Sequence, residues 1–204
     1  MAKNADAKRV KILETAKRRF AHYGLAKTTM AEIAQDLSFS KALLYYYFPD
    51  KNRLYAAVLE LTTDELVEET DLKISQSKTV QEAMDSFLEA RLQMLRDNYN
   101  IFEFSYSLRN DMPHDLECVM PRMFDKEIKQ VRSILELGLA NKELKPIEDI
   151  EVVSKIFLIS LLGMRLGVLK DYKNLFFPPS KEEFSNILDL QKKLSVIFIN
   201  GLRV

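Results

Sequence analysis

The spacing of apolar residues near the start of the chain predicts four helices. Apolar side chains recur every three or four positions, the interval that gathers them on one face of a helix. The predicted segments are a helix over about 6–23, one opened by Thr28 or Thr29, one from Ser40 to about Phe48, and one from Asp50 to about Thr70. The predicted inward faces consist of Ile12, Leu13, Ala16, Phe20, Met30, Ile33, Ala34, Leu37, Leu44 and Phe48.

Residues at the ends of the second and third segments have the chemistry of helix boundaries. Thr29 and Glu32 form a Thr-x-x-Glu capping box, in which each side chain accepts from a backbone N–H at the helix start. Ser38 lies in the turn, Ser40 caps the next helix, and Pro49 ends it because a residue before proline is displaced from the α region. Two short helices joined by a tight turn indicate a helix-turn-helix, which suits insertion into a DNA groove.

The rest of the chain also follows a helical period, so we predict an all-α fold. A polar stretch over 72–79 is expected to be a connection, and the last two helices are predicted at about 148–170 and 181–203. No segment alternates convincingly with the period of two that marks a strand. Only 5 glycines and 6 prolines interrupt the chain, which favours long helices.

Charge separates the predicted head from the rest of the chain. Residues 1–60 hold 11 basic and 6 acidic residues, whereas the remainder holds 19 basic and 24 acidic residues. A basic end on an acidic body is typical of a nucleic-acid-binding head attached to another module. The single cysteine, the polar N-terminus without a signal-peptide core, and the shortness of the apolar run 156–164 together predict a cytoplasmic protein.

Three motifs carry a family resemblance. ILETAKRRFAHYG (12–24), TTMAEIA (28–34) and SKALLYYYFPDKNRL (40–54) resemble the N-terminal domain of the tetracycline-repressor (TetR) family of bacterial transcriptional regulators. The sequence departs from the family pattern at Ser38, where a turn glycine is usual, and at Leu43, where a small or hydroxylated residue is usual. The resemblance implies a sequence-specific regulator, most often a repressor, rather than an enzyme.

The resemblance also implies a domain organisation. It consists of an N-terminal helix-turn-helix DNA-binding domain over 1–50, a connecting helix to about 70, and a larger helical ligand-binding and dimerisation domain over 51–204. A dimer would present two third helices to successive major grooves of a roughly palindromic operator.

The resemblance assigns roles in DNA binding around the helix-turn-helix. Lys41 is the candidate for base readout, because lysine donates to guanine O6 and N7. Tyrosines beside it are expected to pack on backbone or base edges, although core positions are the alternative, most evenly balanced for Tyr47. The expected DNA contacts are Thr29, Tyr47 and Lys51 to phosphates, Ala42 and Leu43 to thymine methyl groups, and Ser40, Lys41, Tyr45 and Tyr46 along the third helix.

Aromatic residues and methionines between positions 84 and 157 form a candidate cavity for an apolar or amphipathic effector. Arg91, Arg109 or Asn110 would fix the polar end of such a ligand. The predicted lining residues are Phe87, Arg91, Phe102, Tyr106, Met120, Phe124 and Phe157. The alternative for each is plain core packing, and the sequence does not identify the effector.

The last two helices are the predicted homodimer interface. Gly163 and Gly167 are spaced as Gly-x-x-x-Gly on an almost uniformly apolar helix, where small residues allow close helix approach. The family resemblance implies that these two helices of each subunit build a four-helix interface. The alternative is an internal core helix in a monomer.

The sequence gives little support for metal binding, cofactor binding or catalysis. His114 and Cys118 are four residues apart, but two ligands without a third and fourth are a weak zinc signal. The chain has no glycine-rich phosphate loop and no nucleophile elbow, so we expect no metal, no cofactor and no enzymatic activity. Two alternatives remain: a helix-turn-helix protein controlled by a protein partner or by nothing, and an enzyme with a nucleic-acid-binding head.

Overall fold

The protein is all-α, as predicted. The structure, a computed structural model, describes residues 2–106, 119–171 and 179–204. The helices within these ranges are α1 (Ala2–Lys27), α2 (Met30–Asp36), α3 (Lys41–Tyr47), α4 (Lys51–Gln76), α5 (Val80–Asp97), α6 (Tyr99–Tyr106), α7 (Val119–Ala140), α8 (Ile150–Asp171) and α9 (Lys181–Leu202). None of them is long and apolar enough to cross a membrane.

Helix α4 runs further than predicted at its C-terminal end. It continues to Gln76, so most of the polar stretch expected to be a connection is helical. Ile74 is buried four residues after the buried Thr70, which extends the inward face of the helix one turn beyond its predicted end. Abundant polar residues obscured that period in the sequence. The last two helices, by contrast, begin and end within two residues of their predicted bounds.

The chain divides into two compact units. The first comprises the described residues of Met1–Glu65 and Asp97–Met123, and the second those of Leu66–Arg96 and Phe124–Val204. The first unit therefore holds α1 to α3 and α6, together with most of α4. Its buried side chains include all those predicted for the head except Leu37, which is half-buried: Ile12, Leu13, Ala16, Phe20, Met30, Ile33, Ala34, Leu44 and Phe48.

Helix α6 is bonded to the head within the first unit. The side-chain amide of Asn100 donates to the carbonyls of Ala21 (2.8 Å) and His22 (3.3 Å), near the end of the first long stretch of α1. The buried Tyr55 hydroxyl donates to the carbonyl of Ile101. Tyr55 also packs edge-to-face on Phe20, with ring centroids 5.0 Å apart. These contacts fix α6 against α1 and α4.

The second unit has its own hydrophobic core, built from α5, α7, α8, α9 and the end of α4. Glycine at position 138 permits a tight return after α7, since a Cβ there would lie 2.7 Å from the Leu144 side chain. The core consists of Ile74, Val80, Ala83, Met84, Phe87, Leu88, Ile128, Val131, Ile134, Leu135, Leu144, Phe157, Leu158, Leu161 and Ile199.

Candidate nucleic-acid interface

The turn between α1 and α2 is held by polar contacts that the sequence did not reveal. Gly24 interrupts α1 with φ 74° and ψ 174°, a conformation open to glycine but costly for other residues. The Thr28 hydroxyl donates to the Gly24 carbonyl at 2.8 Å. The Lys51 amine donates to the carbonyls of Leu25 (2.8 Å) and Thr28 (3.0 Å). Two of its three N–H groups are therefore used inside the protein.

Helix α2 begins with the predicted capping box. The Thr29 hydroxyl accepts from the Glu32 N–H at 3.3 Å, and the Thr29 N–H donates to the Glu32 carboxylate at 2.9 Å. The same hydroxyl donates to that carboxylate at 2.7 Å. These bonds from Thr29, more than the nearby Arg19, lower the pKa of Glu32. The hydroxyl expected on a phosphate is thus already paired.

A surface ion pair joins α1 to the end of α2. Arg19 donates to both carboxylate oxygens of Asp36, at 2.5 and 3.0 Å, and its guanidinium lies 3.4 Å from Glu32. The bond from Arg19 lowers the pKa of Asp36. The acidic residues of α2 are therefore neutralised locally, which reduces their repulsion of a nearby polyanion.

The turn between α2 and α3 contains Ser38, at the position where a turn glycine is usual in the family. Ser38 has φ 54°, in the left-handed region that glycine adopts without cost. Backbone bonds from Ser38 N–H to Gln35 (3.0 Å) and from Phe39 N–H to Ala34 (2.9 Å) hold this conformation. The Ser40 hydroxyl then accepts from the Leu43 N–H at 3.1 Å, which confirms its prediction as the cap of α3.

The seven residues of α3 present one open face. Leu44 and Phe48 are buried at 0 % and 4 % exposure, as predicted. Lys41, Ala42, Tyr45 and Tyr46 are exposed on the opposite arc, with Tyr46 80 % exposed. We call these four residues the reading face. The alternative that Tyr45 and Tyr46 are core aromatics is therefore wrong.

Two predicted contact residues of α3 lie beside the reading face. Leu43 and Tyr47 are half-buried, between the exposed and the buried arcs of the helix. The Tyr47 ring packs edge-to-face against Tyr46, with centroids 5.4 Å apart. Arg9 of α1 lies over the Phe48 ring at 5.4 Å and supports the end of α3, a contact that sequence reasoning missed because the partners are far apart in the chain.

The predicted ligand-cavity residues are distributed over both units. Phe87 and Phe157 are fully buried in the core of the second unit, and Phe124 packs against that core. Phe102 is buried and Met120 half-buried in the first unit. The side chain of Tyr106 lies outside the described residues. Plain core packing therefore accounts for Phe87 and Phe157 within the second unit.

Arg91 belongs to a buried polar group of the second unit. Its guanidinium donates twice to the Glu127 carboxylate, at 2.8 and 3.3 Å, and its side chain is only 5 % exposed. One turn further along α7, the buried Gln130 amide donates to the Asp71 carboxylate at 2.8 Å. The buried Thr70 hydroxyl has no hydrogen-bond partner within the described ranges. Sequence reasoning found Arg91 but not its partner Glu127, which is 36 positions away in the chain.

The outer side of α8 carries exposed aliphatic side chains. Val152, Ile156, Ile159 and Leu166 are between 41 % and 52 % exposed, and we call them the aliphatic face. Gly163 and Gly167 are exposed on the same helix, and a Cβ added to either would meet nothing within 4 Å. On α9, Val196 and Ile197 are exposed at 43 % and 70 %.

Metal ligands are not grouped in the part of the chain that the structure describes. No three histidine, cysteine, aspartate or glutamate residues there are placed to hold a metal ion. His114 and Cys118, the pair considered for zinc, lie outside the described residues.

Comparison with known proteins agrees with the helix-turn-helix architecture. Residues 12–58 match the family model described as bacterial regulatory proteins, tetR family. The HTH-type transcriptional regulator QacR of Staphylococcus aureus is 26 % identical over 201 residues, covering 94 % of this chain and 96 % of QacR. The crystal structure of a transcriptional regulator from Cytophaga hutchinsonii is 27 % identical and superimposes with a TM-score of 0.82, covering 95 % of this chain and 97 % of the other.

A further solved structure shares the fold at lower identity. The transcriptional regulator FadR from Bacillus subtilis, in complex with stearoyl-CoA, is 13 % identical with a TM-score of 0.68 and covers 95 % of this chain and 99 % of its own. Family model, sequence relatives and structures agree with the capped helix pair described above. Residues 12–58 therefore form a DNA-binding domain of the tetR family of bacterial regulatory proteins, and the chain as a whole is similar to transcriptional regulators.

Proposed function

We propose that this protein is a homodimeric repressor that binds a roughly palindromic operator and leaves it when a small apolar or amphipathic molecule binds. The observation that carries this proposal is the reading face of α3, exposed over the buried pair Leu44 and Phe48. A helix held by a cap at its start and by core side chains beneath it has the rigidity that groove recognition requires.

Hydrogen-bonded base reading falls to Lys41 in this proposal, and phosphate contacts position the head. Lys51 retains one N–H for a phosphate after donating to two carbonyls. Thr29 would exchange its bond to Glu32 for one to a phosphate. Tyr47 contributes its hydroxyl from the flank of α3. The operator contacts are thus few, and the fit of the exposed tyrosines is expected to contribute much of the affinity.

A second copy of this chain is the proposed occupant of the aliphatic face. Four aliphatic side chains at helical spacing form a continuous apolar stripe, which a soluble protein rarely leaves open to water. The vacant space above Gly163 and Gly167 permits the close approach of a partner helix. Two-fold symmetry would pair α8 and α9 of one protomer with the same helices of the other.

The effector is proposed to have an apolar body and a polar end. Phe124, partly buried against the core of the second unit, offers apolar surface, and Arg91 with Glu127 offers charge in a buried position. The Thr70 hydroxyl, buried in the same unit without a hydrogen-bond partner among the described residues, is a further candidate for a polar contact, because buried polar groups normally have partners. Stearoyl-CoA, present in the FadR structure, is a ligand of this general class.

Release from DNA is proposed to act through α4 and α6. Helix α4 begins at Lys51, whose amine holds the α1–α2 turn. Helix α6 is bonded to α1 through Asn100. A displacement of either helix would therefore shift the head that carries α3. The ligand can cause this only through a difference in affinity between the bound and released states.

The experiment is an anisotropy titration on operator DNA selected from a random library. Long-chain acyl-CoA and amphipathic organic cations serve as the probe panel. We expect one probe to weaken operator affinity by about 10-fold or more. Arg91→Met should abolish that response, whereas Arg132→Met, which removes an exposed arginine of α7, should preserve it. If no probe changed the operator affinity, that result would contradict ligand control and favour regulation by a protein partner.

A further inference from the structure

We propose that α3 reads its operator mainly through the 5-methyl groups of thymine, with Ala42 and the rings of Tyr45 and Tyr46 as the readers. This inference rests on the proposed function and names the kind of sequence that the operator contains. It begins from the composition of the reading face, which has one charged residue, Lys41, and otherwise small or aromatic side chains.

The order of side chains around α3 supports this assignment. Successive helical residues are offset by about 100°. Around the exposed arc the order is therefore Lys41, Tyr45, Ala42 and Tyr46, with Ala42 three and four residues before the two tyrosines. All four are exposed. Ala42 thus lies between two larger exposed side chains on one helix face, which leaves a recess above its methyl group.

A recess between aromatic rings suits a methyl group of DNA. The major groove distinguishes thymine from every other base by its C5-methyl group, which alanine and aromatic side chains contact directly. Tyrosine presents a broad apolar ring and has few side-chain rotamers to lose on binding. The Tyr46 ring is further restrained by its edge-to-face contact with Tyr47.

Hydrogen-bonded readout has fewer candidates on this helix. Lys41 can donate to a guanine, which would anchor one position of each half-site. Leu43 is half-buried on the flank and is less available to the groove than Ala42. The Ser40 hydroxyl is engaged as the cap of α3. Specificity at the remaining positions then depends on apolar contact.

Deoxyuridine provides a direct test, because it lacks only the 5-methyl group and keeps the base pairing of thymine. Each contacted thymine in the selected operator, replaced by deoxyuridine, should weaken binding about fourfold, which is the expected contribution of one buried methyl group. Replacing the equivalent thymines in both half-sites should weaken binding about fifteenfold, because separated positions combine nearly additively in free energy.

Protein variants assign the effect to named side chains. With Ala42→Ser the ratio of thymine to deoxyuridine affinity should fall towards one at one position of each half-site. Ala140→Ser, an exposed alanine at the end of α7, is the matched control and should leave every ratio unchanged. Tyr46→Phe should preserve discrimination, since the ring remains, and Tyr46→Ala should reduce it. Circular dichroism of each variant checks that the head remains folded.

The outcomes separate this inference from the proposed function. A selected operator whose affinity changes less than about twofold when all its thymines are replaced would overturn methyl readout and leave DNA binding intact. Loss of discrimination in Tyr46→Phe would also overturn it, because hydroxyl contacts would then be responsible. A library that yields no enriched sequence would overturn the proposed function and this inference together.

Discussion

Two surfaces of this protein expose apolar side chains, and they differ in chemistry. The reading face of α3 combines tyrosine rings, each with a hydroxyl, with a neighbouring lysine. The aliphatic face of α8 has isoleucine, valine and leucine beside two glycines. Each surface has a side chain that is about half exposed: Tyr45 is 48 % exposed on the reading face, and Ile156 is 52 % exposed on the aliphatic face. Exposure alone therefore marks a binding surface without identifying its partner.

The chemistry of each surface indicates which partner fits. Hydroxyl-bearing rings and a cation can contact both the bases and the phosphates of DNA. Aliphatic side chains with glycines between them offer no hydrogen bonds, and they match the apolar core of a protein interface. The four predictions below address this comparison, from the largest expected effect to the smallest.

Ile156→Glu should disrupt the proposed dimer. Two-fold symmetry would bury two unpaired carboxylates in the interface, so the dissociation constant should rise on the order of 100-fold or more. Sedimentation velocity at micromolar concentration measures this. Ser133→Glu adds the same charge at an exposed position of α7 and should have no effect. A native protein that sediments as a monomer would contradict the assignment of the aliphatic face.

Lys41→Ala should weaken operator binding by about 1–3 kcal/mol and relax sequence preference at one position. Binding to random DNA should change little, because Lys41 is expected to contact a base rather than the backbone. Titration of both DNAs at several salt concentrations separates the contribution of base contacts from that of phosphate contacts. Equal losses on operator and random DNA would assign Lys41 to a phosphate.

Lys51→Ala should destabilise the head by about 2 kcal/mol. The substitution removes a charged donor and leaves the carbonyls of Leu25 and Thr28 without their bonds. Urea unfolding measures this loss. Lys27→Ala, at an exposed position of the same turn, is the control and should cost much less. An unchanged unfolding curve with uniformly weaker DNA binding would instead support a purely phosphate-binding lysine.

Ser38→Gly should stabilise the head by up to about 1 kcal/mol. Glycine should remove about 1–2 kcal/mol of strain at this left-handed position. It also loses more backbone entropy on folding than serine does, which cancels part of that gain. Thermal unfolding measures the balance. Ser185→Gly, within the exposed side of α9, has no such strain to relieve and should destabilise. Destabilisation by Ser38→Gly would show that the turn is not strained.

The sequence predicted local features better than distant ones. The capping box of Thr29 and Glu32 and the cap at Ser40 were predictable because they depend on residues three apart. The Lys51 bonds and the Glu127 partner of Arg91 join residues more than twenty positions apart, and no local pattern indicates them. The extension of α4 beyond Thr70 was missed because Ile74 is its only buried residue and lies among mostly polar ones.

The central claim is that two copies of the reading face contact one operator. Selection from random-sequence DNA with the purified protein tests it most directly. We expect an enriched palindrome whose half-site centres are about 10–10.5 base pairs, or about 34–36 Å, apart. Enrichment of a single unpaired site, or of no sequence at all, would contradict it.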